Sequence, residues 1–267
     1  MPADCSDIRI LLIGDIVGKP GRKIVQGMLP GLRESLDLDL VIANAENSAA
    51  GSGITPKIFA DLRTAGVDLM TLGDHAWKRR DNLEVLEKEP LCLRPHNYPE
   101  EALGTGWTVV ETAAGVPVAH VIVLGRVFMD SVSCPFRTVD AVLQEIPEDV
   151  KIRIVEFHAE ATSEKQAAGW HFDGRVTAVV GTHTHVPTAD SEILPGGTGY
   201  ITDIGMVGPY PSVLGIKSEI IIDKFLKEEH IKHELPDSGQ IEVNAVLLEI
   251  DNNTHKTTKI KLLREIL

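Results

Sequence analysis

The chain has 267 residues, 43% of them hydrophobic and 24% charged, with a formal net charge of −13. Those figures fit a globular protein with a sizeable core, and a length better suited to one large α/β domain than to two small ones. The charge argues against a general grip on nucleic-acid backbone, which needs Lys and Arg, but leaves small anionic substrates open where metal cations reverse the local field.

In chain order, Arg9 to Ile13 is a short apolar run ending in Gly14-Asp15 and predicts a buried strand. Ile16 to Gly21 (IVGKPG) reads as turn chemistry. Ile24, Val25, Met28, Leu29 and Leu32 then fall on one face of a helix. Leu38 to Ile42 predicts a second strand, followed by Ala43-Asn44-Ala45-Glu46-Asn47. Ser48 to Gly53 is a small-residue loop. Thr55-Pro56 is an N-cap with proline at the first helical position, opening a helix to about Ala65. Val67 to Leu72 predicts a third strand, closed by Gly73-Asp74-His75. A helix over Arg80–Glu87 and a short strand at Cys92–Arg94 lead into Pro95-His96-Asn97-Tyr98-Pro99.

From Trp107 the character changes. Trp107–Glu111 and Val118–Leu124 predict two strands of an antiparallel meander. A helix over Thr138–Ile146 precedes a strand over Ile152–Phe157, which ends in His158-Ala159-Glu160. Ser163 and Gln166 match a capping box for a short helix. The apolar run Val176–Val180 then delivers Gly181-Thr182-His183-Thr184-His185. Strands over Thr198–Thr202 and Ile241–Ile250 flank a helix over Lys217–Phe225. A turn at 251–254 feeds a last strand, Lys256–Leu263. No repeat or linker divides the chain, so the expectation is a single domain over residues 1–267.

Cys5, Cys92 and Cys134 lack CxxC spacing and read as reduced thiols of a cytoplasmic protein. No secretion signal is visible, and no apolar run approaches the roughly 20 residues that span a bilayer. No membrane partner is expected, and a homo-oligomer is left open.

Potential ligands follow one strand after another: Asp15; Glu46 with Asn47; Asp74 with His75; His158; and His183 with His185. In open α/β sheets, ligands bind at the carboxyl ends of strands, so these loops should share one edge. Each residue has an ordinary alternative: a turn or cap for Asp15, loop polarity for Glu46-Asn47, a satisfied buried imidazole for His158. The alternatives weaken jointly, because separate strands would need the same unexplained preference. Carboxylate, amide and imidazole without thiolate suit iron, manganese or zinc in a catalytic centre, not a closed structural zinc site. The ligands exceed what one ion needs; two ions about 3.5–4 Å apart would use them all.

The order Gly-Asp, Asn-x-Glu-Asn, Gly-Asp-His, His and Gly-Thr-His-x-His resembles the calcineurin-like metallophosphoesterases, and more closely the bacterial YmdB family of metallophosphodiesterases. The stretches that carry it are IGDIVGKPGR (13–22), NAENSAAGSGIT (44–55), TLGDHAW (71–77), RPHNYP (94–99), FHAEATSEKQAAGW (157–170), VVGTHTHVPTAD (179–190) and ITDIGMVGPY (201–210). The resemblance implies a four-layer metallophosphoesterase fold, a β-sandwich flanked by helices. It also implies a di-iron or manganese centre and hydrolysis of cyclic nucleotides, 2′,3′-cyclic AMP above all, by a metal-bridging hydroxide. By the same resemblance Asp15, Glu46, Asn47 and His185 would hold one ion. Glu46, Asp74, His158 and His183 would hold the other, and His75 would protonate the leaving oxygen. Two positions depart from the family pattern: Asp74 stands where Asn is usual, and His96 where alanine is common.

Arg94, Asn97 and Tyr210 are candidates to line the cleft, with structural loop roles as the favoured alternative. His120, His171, His230, His233 and His255 read as ordinary surface or core residues. Two other readings compete. A regulatory protein could bind a nucleotide at the metal centre and act through partners, although it would need no acid such as His75. A metal-dependent amidohydrolase also uses His-x-His, but normally after the first strand of a barrel, whereas here the pair comes late.

Overall fold

The computed structural model describes residues 7–227, 232, 234–236 and 239–267. Cys5, His230 and His233 lie outside the described residues. The first half of the chain runs β1 (Ile8–Ile13), β2 (Asp15–Ile16), α1 (Gly18–Ser35), β3 (Leu40–Asn44), α2 (Pro56–Ala65) and β4 (Leu69–Thr71). A 3-10 turn (Asp74–Trp77), α3 (Arg80–Lys88), β5 (Cys92–Leu93), β6 (Trp107–Glu111), β7 (Pro117–Leu124) and α4 (Pro135–Glu145) follow. Then come β8 (Ile152–His158), α5 (Thr162–Phe172), β9 (Ala178–Thr182), β10 (Glu192–Ile193) and β11 (Gly199–Ile201). The described chain closes with β12 (Met206–Tyr210), α6 (Ser218–Lys227), β13 (Gln240–Ile250) and β14 (Thr257–Ile266).

The strands form two sheets. One has the order β2-β12-β13-β1-β3-β4-β5, with β14 also on β13; the other is β10-β11-β9-β8-β7-β6. Strand alternation assigns each apolar residue to a layer. On β1, Leu11 and Ile13 face a core shared with α1, α2 and α3, while Ile10 and Leu12 face the second sheet. On β8, Ile152 and Ile154 face that same middle layer, and Val155 and Phe157 pack outward against α4 and α5. The result is four layers, helix-sheet-sheet-helix, as the resemblance implies. β1, β3 and β4 run parallel to one another, as do β7, β8 and β9. Among the described residues no helix is long and apolar enough to cross a membrane, and Cys92 and Cys134 are free thiols.

The expected elements are present with shifted ends, and the departures have physical causes. Thr55 caps α2 as its sequence predicts, accepting from Ile58 N at 3.2 Å. The strand expected over Leu38–Ile42 runs instead from Leu40 to Asn44. Of the stretch read as a turn, Ile16 to Gly21, Ile16 ends β2 and Gly18-Lys19-Pro20-Gly21 is the first turn of α1. Proline is tolerated there because the first helical N–H groups have no intrahelical acceptor. Gly21 serves close packing, since a Cβ at that position would overlap the Val207 carbonyl on β12. The Ser163/Gln166 capping box does not form: α5 begins at Thr162, and its N-cap Ala161 makes no side-chain cap bond. The helix start is held by inward-facing neighbours instead. The Glu164 carboxylate accepts the N–H groups of Arg126 (3.0 Å) and Val127 (3.2 Å), and Lys165 pairs with Asp203 at 2.7 Å. β12 escapes a pattern reading because its Gly208-Pro209 looks like a turn.

Two glycines of α1 should respond oppositely to alanine. Gly21→Ala should lower the unfolding free energy by about 1–3 kcal/mol through overpacking. At exposed Gly27 a Cβ meets nothing within 4 Å, so Gly27→Ala should raise it by up to about 1 kcal/mol through helix propensity. Urea denaturation of both variants checks the pair; equal effects would contradict the close approach at Gly21.

Candidate metal centre

Five loops bring the site together at the carboxyl ends of β1, β3, β4, β8 and β9. Asp15 follows Gly14 and opens β2. Glu46 and Asn47 come just after β3, Asp74 and His75 start the 3-10 turn after β4, His158 ends β8, and His183 follows β9. Gly73 makes the meeting possible, because a Cβ there would overlap both His158 and Glu46.

Glu46, Asp74, His158 and His183 each present a ligand atom within 4.8 Å of the others, a grouping that could hold a metal ion. His158 Nε2 is 3.2 Å from Glu46 Oε1, 3.3 Å from Asp74 Oδ1 and 3.1 Å from His183 Nδ1. His183 Nδ1 is itself 3.3 Å from Asp74 Oδ1. The other expected residues border this group. Asp15 Oδ2 accepts the His183 backbone N–H at 3.3 Å, and His185 Nε2 lies 3.9 Å from Asp15 Oδ1. Asn47 turns its amide nitrogen to Glu46 Oε1 (3.2 Å) and His185 Nε2 (3.1 Å), and its Oδ1 to His75 Nδ1 (3.0 Å). A half-turn of that amide would present the oxygen to the same space instead. All of the expected ligands and His75 are therefore contiguous.

The turn carrying the histidines has an unusual backbone. His183 and His185 have φ of 102° and 63°, values that cost non-glycine residues roughly 1–3 kcal/mol and persist only where the surroundings fix them. Asp203 does the fixing: its Oδ2 accepts Thr184 N (3.1 Å), Thr184 Oγ1 (2.8 Å) and Lys165 Nζ (2.7 Å). The rings are set through their second nitrogens, as metal-ligating imidazoles require. His185 Nδ1 donates to the Leu214 carbonyl at 3.2 Å, leaving Nε2 bare, and His183 Nε2 meets Glu160 Oε2 at 3.1 Å.

Charge in the site is unbalanced without a cation. Burial pushes the Asp15 carboxyl up to about 8, against the pull of His158, and its Oδ1 is buried with no hydrogen-bond partner. Glu46 and Asp74 go the other way. Burial works to raise both, but His158, joined at Asp74 by His183, holds Glu46 at about 2 and Asp74 well below the carboxylate range. The His158 imidazole is raised by Glu46 and Asp74 despite its complete burial, so a metal must displace its proton. His185 is lowered, chiefly by burial. An orphaned buried oxygen and a knot of carboxylates and imidazoles are the donor set a cation fits.

A cavity of about 460 Å³ opens over the cluster, lined by Glu46, Asn47, Asp74, His75, Glu160 and the histidine turn, with an apolar side of Val17, Leu214 and Ile216. Arg94 and Asn97 do not reach it. Arg94 donates to the carbonyls of Pro95, Ala102 and Leu103, and Asn97 to those of Leu124 and Ser133, so both are loop braces. Tyr210 pairs with Gln240 in the sheet. Sequence reasoning missed Glu160, Asp203 and the Leu214 carbonyl. A signal existed for Asp203, since Ile201-Thr202-Asp203 repeats the pattern of a carboxylate just past a strand.

Residues 11–263 match the model of the YmdB-like protein family. The chain is 42% identical to the 2′,3′-cyclic-nucleotide 2′-phosphodiesterase of Bacillus subtilis strain 168, over 95% of this chain and 96% of that one. The crystal structure of a hypothetical protein from Thermus thermophilus superposes with a TM-score of 0.91 at 40% identity, covering 97% of this chain and 99% of that one. That of a novel phosphatase from Mycoplasma pneumoniae gives a TM-score of 0.91 at 36% identity, covering 98% and 94%. The chain belongs to the YmdB-like family.

The burial of Asp15 makes a pH prediction. A carboxyl raised in the folded state favours folding while protonated, and that contribution is lost as pH climbs towards about 8. In protein stripped of metal by a chelator, Asp15→Asn should therefore be more stable than the parent at pH 8, with the gap closing towards pH 5. Added Mn²⁺ should reverse the order. Denaturation at both pH values decides it; a gap that widens on acidification would reject the burial argument.

Proposed function

We propose that this member of the YmdB-like family is a two-metal phosphodiesterase that hydrolyses 2′,3′-cyclic nucleotides. The observation that carries the reading is the Glu46-Asp74-His158-His183 cluster beneath a cavity of about 460 Å³, within the range of small-ligand sites. The activity named for the Bacillus subtilis relative supplies the substrate class. Glu46, Asp74, His158 and His183 would hold one ion, and Asp15, Glu46, Asn47 and His185 the other, with Glu46 common to both. Iron or manganese suits this oxygen- and nitrogen-rich set, and zinc is compatible with it. When bound, the ions supply positive charge for the phosphate oxygens and acidity for a water. Residues 1–267 are read as one catalytic domain, supported by the middle core that both sheets share.

The protein's own part is to place the phosphate and to move a proton. His75 Nδ1 lies 3.0 Å from the Asn47 side-chain amide; with that amide turned to offer its oxygen to an ion, its NH₂ donates to Nδ1 and the ring proton sits on the other nitrogen, Nε2. That nitrogen lies 3.6 Å from Asp74 Oδ2, and His75 lines the cavity. A ribose alkoxide is a poor leaving group, so a proton from Nε2 to the departing ribose oxygen lowers the barrier. The 3-10 turn holds His75 in place, with Asn82 Nδ2 donating to its carbonyl at 2.7 Å. Val17, Leu214 and Ile216 offer the nucleoside an apolar wall. A protein that only bound nucleotide would have no use for the imidazole at His75.

Elemental analysis after anaerobic reconstitution with Fe²⁺ or Mn²⁺ should find two ions per chain; one or fewer would overturn the two-ion reading. Replacing His75 with alanine should leave metal content intact and slow 2′,3′-cyclic AMP turnover by about 10²–10⁴-fold. The loss should shrink with a nitrophenyl phosphodiester, whose leaving group needs no proton. An equal loss on both substrates would remove the acid role from His75.

A further inference from the structure

Beneath the cluster, between the two sheets, lies a polar network that the proposed reaction does not use. Glu156 on β8, Asn44 on β3, Thr182 on β9 and His120 on β7 are 3%, 2%, 1% and 0% exposed. They sit in a layer otherwise filled by side chains such as Ile42, Val118, Ile122, Ile154 and Val180. A carboxylate in such a layer is costly unless its lone pairs are taken up, and here they are. Glu156 Oε1 accepts from Asn44 Nδ2 and from Thr182 Oγ1, each at 3.0 Å, and Oε2 lies 3.2 Å from His120 Nε2.

Both Oε1 contacts continue to a candidate ligand. Asn44 Oδ1 accepts the backbone N–H of Glu46 at 3.1 Å, so the amide has one orientation, with oxygen to Glu46 and nitrogen to Glu156. Thr182 sends its single proton to Glu156, so towards His158 Nδ1, 2.9 Å away, its oxygen can only accept. Asn44 Nδ2 also approaches Nδ1, but at 3.5 Å it does not compete. In the neutral ring that a metal requires, Nδ1 therefore keeps the proton and Nε2 is bare. Nε2 is the atom that faces Glu46, Asp74 and His183.

We propose that Glu156 is the positioning residue of the metal centre, setting the His158 tautomer through Thr182 and anchoring the Glu46 backbone through Asn44. The proposal rests on the two-metal reading above. Its content is hydrogen-bond acceptance at one buried oxygen, shared by two ligands that come from different sheets. Glutamine can supply the same acceptor: its oxygen can take Asn44 and Thr182 while its NH₂ faces His120. Leucine supplies none.

The test is Mn²⁺ titration of chelator-stripped protein by calorimetry, beside thermal unfolding of each metal-free variant. Glu156→Leu should weaken Mn²⁺ binding by about 10–100-fold, the usual cost of losing an outer-sphere partner. Glu156→Gln should bind close to the parent. Should Glu156→Leu fail to fold, Thr182→Val keeps the shape of β9, removes one hydroxyl, and should weaken binding about tenfold. Parental affinity in Thr182→Val, or a loss in Glu156→Gln as large as in Glu156→Leu, would overturn the proposal. A fall in melting temperature with unchanged affinity would reduce Glu156 to a packing role and overturn it equally. A parent protein that binds no Mn²⁺ would instead fell the metal reading itself, and this proposal with it.

Discussion

Three carboxylates, Asp15, Glu46 and Asp74, converge on two imidazoles at the floor of the cavity, with Asp15, Glu46 and His158 buried, and the rest of the site follows from that repulsion. Carboxylates so close cannot all ionise in a low-dielectric pocket unless positive charge sits between them. In the protein alone, His158 supplies that charge to Glu46 and Asp74, while Asp15 is left to carry the burial penalty as a proton. The arrangement stores an electrostatic demand that divalent cations satisfy. On the two-metal reading, cations held by the cluster would reverse the local sign at the cavity floor, so that an acidic protein can receive a phosphate.

Holding such a cluster requires rigid supports, and the structure places them where the sheets meet. The left-handed backbone at His183 and His185 is held by Asp203, which is itself neutralised by fully buried Lys165. Breaking a buried pair of this kind leaves a charge without a partner and is strongly destabilising, so the Lys165–Asp203 contact ties the histidine turn to α5 and thus to the outer core. Glu156 does the corresponding work on the opposite side of His158. The candidate ligands are presented by loops, and those after β3, β4 and β9 are braced by the buried side chains of Asn44, Asn82 and Asp203.

The main strands and helices, and the four residues of the grouping that could hold an ion, are legible in the sequence because their signals are local. A short apolar run followed by Gly-Asp or Thr-His announces a strand end with chemistry on it, whatever lies across the fold. The supports were not legible for the opposite reason. Glu156 looks like a polar residue at an alternating position of a strand, and His120 like any core histidine; only the register that sets β7 beside β8 makes them a pair. Glu160 stands two residues past His158, but its contact with His183 depends on where β9 ends. The first turn of α1 reads as a loop in the sequence because glycine and proline mark both tight turns and helix starts. The difference lay in the packing of Gly21 against β12, which is a tertiary fact.

Asp74, which the resemblance marks as a departure from asparagine, shows how one side chain can link the candidate ligand set to the proposed acid. Its Oδ1 faces His158 and His183, both at 3.3 Å, while Oδ2 faces His75 Nε2 at 3.6 Å. An asparagine oriented to keep its oxygen on the two histidines would turn NH₂ towards His75, and a donor facing a ring nitrogen is matched only when that nitrogen is bare. Aspartate presents an acceptor there instead, which is matched when the nitrogen carries a proton. The carboxylate therefore borders His75 through a residue that also belongs to the cluster. On the two-metal reading, metal retention and proton delivery would meet at that one carboxylate. On the same reading, the added negative charge would strengthen the hold on the cations and weaken their net pull on a bound water.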